Sequence, residues 1–167
     1  MAALTETDRA FLCRAIDLSG AALRDPGKTP FGSVVVCGGE VAGEGAASVV
    51  EQSDPTAHAE VVALRAAGAR LHRHLFEGAT LYSSSEPCPM CLTACYWAAI
   101  SRVVFAATSR DVAEYGFEDL RFYREVQKPP QRRALPEDAA GEALRERAAA
   151  ILRAWAGQVP GQVEPKY

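Results

Sequence analysis

The stretch Thr80-Leu-Tyr-Ser-Ser-Ser-Glu-Pro-Cys-Pro-Met-Cys91, read together with Arg102-Val-Val-Phe-Ala-Ala107, decides the fold. Thr80 to Ser84 and Arg102 to Ala107 are short runs of strand-forming side chains. Between them Met90, Leu92, Ala94, Tyr96, Trp97, Ala98 and Ile100 make a run long and apolar enough for a buried helix. Strand, helix and strand in that order imply a parallel crossover and a layered α/β domain. Pro89 belongs in the first helical turn, where a missing N–H costs nothing and a fixed φ suits the geometry. Cys88 and Cys91 then lie at a helix N-terminus, whose partial positive charge favours the thiolate.

Working back along the chain, His58-Ala-Glu60 supplies the complement. Zinc accepts neutral imidazole nitrogen and thiolate sulfur, and a catalytic site uses three protein ligands so that water or hydroxide takes the fourth tetrahedral position. His58, Cys88 and Cys91 make such a set, and Glu60 is the natural proton carrier. Residues i and i+2 do not share a face of a regular helix, so His58 and Glu60 serve one site only at a helix end. Asp54, Pro55 and Thr56 are expected to form that end, before the helical run from Ala59 to Ala66. Two helix N-termini should therefore meet at the metal. A redox reading of Cys-x-x-Cys gives His58 and Glu60 no role. A closed structural zinc site needs a fourth ligand, for which Cys95 is the candidate, although it also reads as a small buried hydrophobe.

The remaining segments fit around this core. Thr5 to Ala22 reads as an amphipathic helix with Thr5 and Asp8 as a reciprocal cap, and Ser33 to Cys37 with Val41 to Val50 reads as a hairpin turning at Gly38 and Gly39. From Lys128 onward Pro129, Pro130 and Pro136 interrupt the chain before an alanine-rich helix from about Asp138 to Ala156. The expectation is one domain over residues 1–167, with a C-terminal helical arm from about 128–167 that can dock on its own domain or be exchanged with a second subunit.

Composition narrows the function classes. With 18 basic and 21 acidic residues among 167, the net charge is −3. Only Lys28, Lys128 and Lys166 are lysines, so a nucleic-acid partner is disfavoured and the arginine groups read as solvated helix faces. Apolar runs fall short of the roughly 20 residues that span a bilayer, and the first residues lack a basic start, which points to a cytoplasmic protein with no membrane partner. His72 and His74, beside Arg70 and Arg73, read as an exposed turn.

These motifs resemble the cytidine deaminase-like superfamily and, within it, the bacterial guanine deaminases. The likeness lies in Asp54-Pro-Thr-Ala-His-Ala-Glu60, Glu86-Pro-Cys-Pro-Met-Cys-Leu92, Tyr96-Trp-Ala98, Gly116-Phe-Glu-Asp119 and Pro30-Phe-Gly32. The resemblance implies a three-layer α/β/α sandwich around a central five-stranded mixed sheet. It implies one zinc ion per chain and hydrolytic deamination of a free nucleobase or related amino-heteroaromatic ring, guanine first, in a homodimer whose C-terminal arm closes the site. It also implies Asp119 as a second catalytic carboxylate and Tyr167 as the terminal residue of the closing arm; Phe31 or Trp97 is expected to offer an apolar face to the ring, and Ala47 and Ala57 complete the expected substrate-binding positions.

One position departs from that pattern. Counting back eleven residues from His58 reaches Ala47 where the family carries a ring-binding asparagine, and the sequence contains no asparagine. A hydroxyl at Ser48 does not present the two-point edge of an amide. Other small substrates (cytosine, a nucleoside, a triazine or a pterin), a tRNA adenosine, and a non-catalytic zinc-stabilised domain remain alternatives.

Overall fold

The structure is a computed structural model that describes residues 3–25, 27–117 and 119–159. The chain divides into two compact units, Met1–Gln127 and Lys128–Tyr167.

In the first unit the elements run α1 (Glu6–Gly20), β1 (Gly32–Cys37), β2 (Glu40–Ala46), a helical turn α2 (Val49–Gln52), α3 (Ala59–Leu71), β3 (Thr80–Ser85), α4 (Pro89–Trp97), β4 (Arg102–Ala107), α5 (Ser109–Ala113) and α6 (Asp119–Gln127). The strands form one mixed sheet in the order β2-β1-β3-β4, with β1 antiparallel to both neighbours and β3 parallel to β4. Parallel pairing of β3 and β4 follows from the α4 crossover. Alternation along the strands sends Val34, Val36, Tyr82 and Val104 toward α1, and Val35 and Leu81 toward the opposite face with Ala63, Ala67, Phe76 and Cys95. Helices thus cover both faces of the sheet.

Four strands occur among the described residues where the resemblance implies five. After Ala107 the Thr108 side chain caps the backbone of Asp111 in a capping box, which turns the chain directly into α5, and each later element in the described residues is helical. The second hairpin strand is also shorter than expected, ending at Ala46 instead of Val50. Val49–Gln52 forms a helical turn that Ser53 closes in the left-handed region at φ 49°. Ala42 is the extra residue of a bulge opposite Val35 and Val36.

The face against α1 is pinned by a buried acid. Asp8 closes the Thr5 capping box, accepts a hydrogen bond from Tyr82 Oη at 2.8 Å, and pairs with both terminal nitrogens of Arg102 at 2.7 and 3.2 Å. Arg102, then the Thr5 N–H and the Tyr82 hydroxyl, hold its carboxyl well below the usual carboxylate range.

The opposite face depends on smallness. A Cβ on Gly45 would stand 2.2 Å from the Ala59 carbonyl oxygen and 2.6 Å from the Ala63 nitrogen, and one on Gly43 would stand 2.3 Å from the Ala63 oxygen. Glycine on β2 and alanine on α3 let the helix lie directly on the strand, which fixes where the helix begins.

In the second unit a 3₁₀ turn (Pro130–Arg132) precedes α7 (Glu142–Ala156), shorter at its start than the sequence suggests. Leu144, Ile151, Leu152 and Trp155 recur at helical spacing along α7 and are 55 to 68% exposed. No helix among the described residues is long and apolar enough to cross a membrane.

Candidate metal centre and active site

His58 is the N-cap of α3, in extended conformation at φ −67° and ψ 155°, and its carbonyl accepts the first helical bond from Val62. Glu60 lies inside the first turn. One residue outside the helix and one inside it can therefore face the same point, which resolves the spacing problem that a regular helix would pose. The helix begins later than Asp54 suggested: Asp54 instead folds an Asx turn, accepting from the Thr56 N–H at 2.8 Å. Cys88 is the N-cap of α4 and Pro89 its first residue, so Cys91 lies three residues on, within the first turn.

The three donors converge. Cys88 Sγ is 3.5 Å from Cys91 Sγ and 3.7 Å from His58 Nδ1, and one ligand atom from each residue lies within 4.8 Å of the others. Tetrahedral zinc with bonds of about 2.3 Å to sulfur and 2.0 Å to nitrogen separates its ligands by roughly 3.5–3.8 Å. The donor set and its spacing fit zinc. Cys95 lies elsewhere, packed with Phe76, Leu81 and Ala98 in the core, and burial pushes its thiol up to about 12. That placement leaves a three-ligand set.

Hydrogen bonding from the Cys91 thiol pulls Cys88 down to about 4, with His58 assisting against the effect of burial, and the same bond pushes Cys91 up. The bond to Cys88 likewise raises His58. Zinc takes sulfur as thiolate, so a divalent cation at these donors displaces the thiol protons.

Glu60 is 4% exposed, and Ser83 Oγ donates to its Oε1 at 3.0 Å. Burial raises its carboxyl above the ordinary range. The loop carrying Cys88 is held from two sides. Ser109 donates from N and Oγ to Glu86 Oε2 at 2.8 and 2.7 Å, and Tyr123 Oη donates to the Pro87 carbonyl at 2.7 Å. Tyr123 stands one helical turn beyond Asp119 on α6. Burial, and then the Cys88 charge, raise the Asp119 carboxyl.

A cavity of about 240 Å³ opens beside these groups, lined by His58, Glu60, Cys88, Asp119, Phe31 and Ala47 among others. Phe31 packs edge-on to Phe117 at 4.8 Å between centroids and 82° between planes. Ala57 is fully buried outside the lining, where its carbonyl accepts from Ser48 N at 2.9 Å. Trp97 is not among the residues that line this cavity. It is 62% exposed and lines an adjoining groove along α4 that shares His58, Cys88 and Asp119 with the cavity. Six residues of helix carry it roughly 9 Å beyond Cys91. Tyr167 lies outside the described residues.

Sequence reasoning missed Ser83, Glu86, Val49, Val50, Thr29 and Phe117. Ser83 had a readable cue: counting by twos from the core residue Leu81 puts Ser83 and Ser85 on the α3 face. Phe117 had only its place in the Gly116–Asp119 segment, and nothing local marked it as a partner for Phe31.

One imidazole, two thiols and a buried carboxylate beside an open cavity make a donor set suited to a hydrolytic zinc site with three protein ligands. Residues 5–107 match the family described as the cytidine and deoxycytidylate deaminase zinc-binding region, and the chain belongs to this family of zinc-dependent deaminases. It is 44% identical over 126 residues to the guanine deaminase of Bacillus subtilis (strain 168), covering 75% of this chain and 81% of that one. The X-ray structure of guanine deaminase from Bacillus subtilis matches with a TM-score of 0.86 at 36% identity, over 96% of this chain and 99% of the other. A tRNA-specific adenosine deaminase of Buchnera aphidicola subsp. Schizaphis graminum is 38% identical over 91 residues, 54% of this chain and 60% of that one.

Proposed function

We propose that the chain deaminates a free nucleobase, converting guanine and water to xanthine and ammonia. The observation that carries this reading is the buried Glu60 carboxylate beside the His58, Cys88 and Cys91 donors, at the wall of a cavity sized for a single small molecule. The likeness to a guanine deaminase over most of both chains supports the choice of ring.

Zinc, when bound by the three donors, supplies Lewis-acid activation of water. Glu60 accepts a proton as that water attacks the ring carbon bearing the exocyclic amine, and returns it to the adjacent ring nitrogen. Its raised proton affinity matches both halves of that cycle, because a carboxyl nearer to neutral pH gives a proton back as readily as it takes one. In this reading Asp119, which lines the same cavity as Glu60, assists transfer of the added hydroxyl's proton to the amine, so that C–N breaks, C=O forms and ammonia leaves. The Phe31 and Phe117 pair offers an apolar wall to the ring, with Ala47 beside it. Fully buried Ala57 acts through its carbonyl, bonded to Ser48 N, which ties the Ala47 segment to His58.

The working protein is a cytosolic homodimer in this reading. Five free cysteines agree with a reducing compartment, and the exposed apolar face of α7 agrees with a helix that is covered by a second copy. The segment 128–167 is the arm to be exchanged, with Trp97 and Tyr167 contributing to the closed site from the interface.

Ammonia release by the zinc-loaded chain tests the substrate, against guanine, cytosine, adenine, their nucleosides, amino-triazines, pterins and bulk tRNA. Guanine as the best of these is the expected result. Conversion of tRNA adenosine with no release from free bases overturns it.

A further inference from the structure

The wall of the cavity formed before β1 and after β2 is almost wholly apolar. Phe31, Ala47, Val49 and Val50 line it, Thr29 brings its one side-chain polar group, and Phe117 joins the lining from the segment before α6. Two backbone N–H groups there are already paired. Ala47 N donates to the Phe31 carbonyl at 3.0 Å and Ser48 N to the Ala57 carbonyl at 2.9 Å. Ser48 Oγ turns away onto the Ala46 carbonyl at 3.0 Å. The other polar side chains of the lining, His58, Glu60, Ser85, Glu86, Cys88 and Asp119, come from the start of α3, the end of β3, the start of α4 and α6.

A bare purine meets this wall with N–H, ring nitrogen or carbonyl groups along its edges. Against the side chains of Ala47 and Val49 such a group is desolvated without a side-chain partner, which opposes binding. A methyl or short alkyl group at the same place is buried favourably against the same side chains. We infer that the cavity is shaped for a guanine carrying an N-alkyl group, seated with that group against Ala47, Val49 and Val50. Val50, 66% exposed, stands at the mouth, where a small substituent can project.

The reaction is unchanged: water adds at the ring carbon, the exocyclic amine leaves as ammonia, and the alkyl group stays on its nitrogen. The inference rests on the guanine reading above and sharpens its substrate.

The experiment compares kcat/KM for guanine, 7-methylguanine and 9-methylguanine, measured by ammonia release from the zinc-loaded full chain. One of the two methylguanines should exceed guanine by about tenfold, the lower range of what a single methyl group gives in an apolar pocket. The isosteric variant Val49→Thr, which exchanges one methyl for a hydroxyl without changing volume, should lower that ratio about threefold or more. Ala47→Asn should reverse the preference toward guanine. Guanine turned over faster than both methylguanines by the unaltered protein overturns the inference while leaving the guanine reading intact. Equal ratios in the protein and in Val49→Thr overturn it as well. Silence on all three rings defeats the guanine reading itself.

Discussion

At one end of the cavity His58 and Glu60 lie at the start of α3, which is seated closely on β2, and Cys88 lies at the start of α4. At the other end Ala47, Val49 and Val50 lie on an irregular connection, where a bulged strand gives way to one turn of helix. The first end must satisfy metal coordination and proton transfer, so few residue types can serve and spacing is fixed by the backbone. The second end meets only the shape and polarity of a ring, and neighbouring apolar residues can exchange there at little cost to folding. Chemistry is therefore held rigidly while selectivity is left open to change.

The largest effect in this comparison should come from the ligands. Cys91→Ala should lose both zinc and turnover, by more than the roughly 10–100-fold that follows loss of an outer-shell support, whereas Cys95→Ala should keep its metal. Zinc content by atomic emission beside ammonia release checks the pair. Metal lost in Cys95→Ala and kept in Cys91→Ala would invert the assignment.

Next comes the scaffold under the reaction end. Gly45→Ala forces a methyl into the Ala59 and Ala63 backbone, so it should cost about 1–3 kcal/mol and move the start of α3. Urea unfolding measures the first consequence and zinc affinity the second. Unchanged stability would mean that α3 does not need its close seat on β2.

The smallest effect belongs to the face away from the cavity. The carboxyl of Asp8 is depressed by Arg102, so the folded chain releases this proton more readily than the unfolded chain. Its contribution is present above the unfolded value near 4 and is lost as pH falls through that value toward the depressed one. Asp8→Asn should therefore be less stable than the unaltered chain at pH 7, with the gap narrowing below about pH 4. A gap that stays constant from pH 7 to pH 3 would remove the ion pair from the account.

The same contrast explains what the sequence discloses. The metal and proton-transfer residues are legible because a metal and a helix N-terminus each demand particular side chains at particular spacings. The Thr5 cap and the Arg102–Ala107 strand are legible because capping and β-branched runs are local. Val49 and Val50 look like strand because β-branched pairs favour it, yet Ser53 in the left-handed region and the Asp54 turn redirect the chain into a helical turn. The approach of Phe117 to Phe31 joins residues far apart in sequence, so no local pattern announces it. Trp97 lines the groove that adjoins the cavity at His58 and Cys88, a place that its motif alone does not disclose.

The central claim is that Glu60 carries the proton for a site whose metal is held without it. Glu60→Gln, loaded with zinc and assayed for ammonia release from guanine, tests that most directly. The account predicts one zinc per chain, as in the unaltered protein, with turnover reduced about 10²–10⁴-fold. Substantial turnover with zinc in place, or loss of zinc along with turnover, would contradict it.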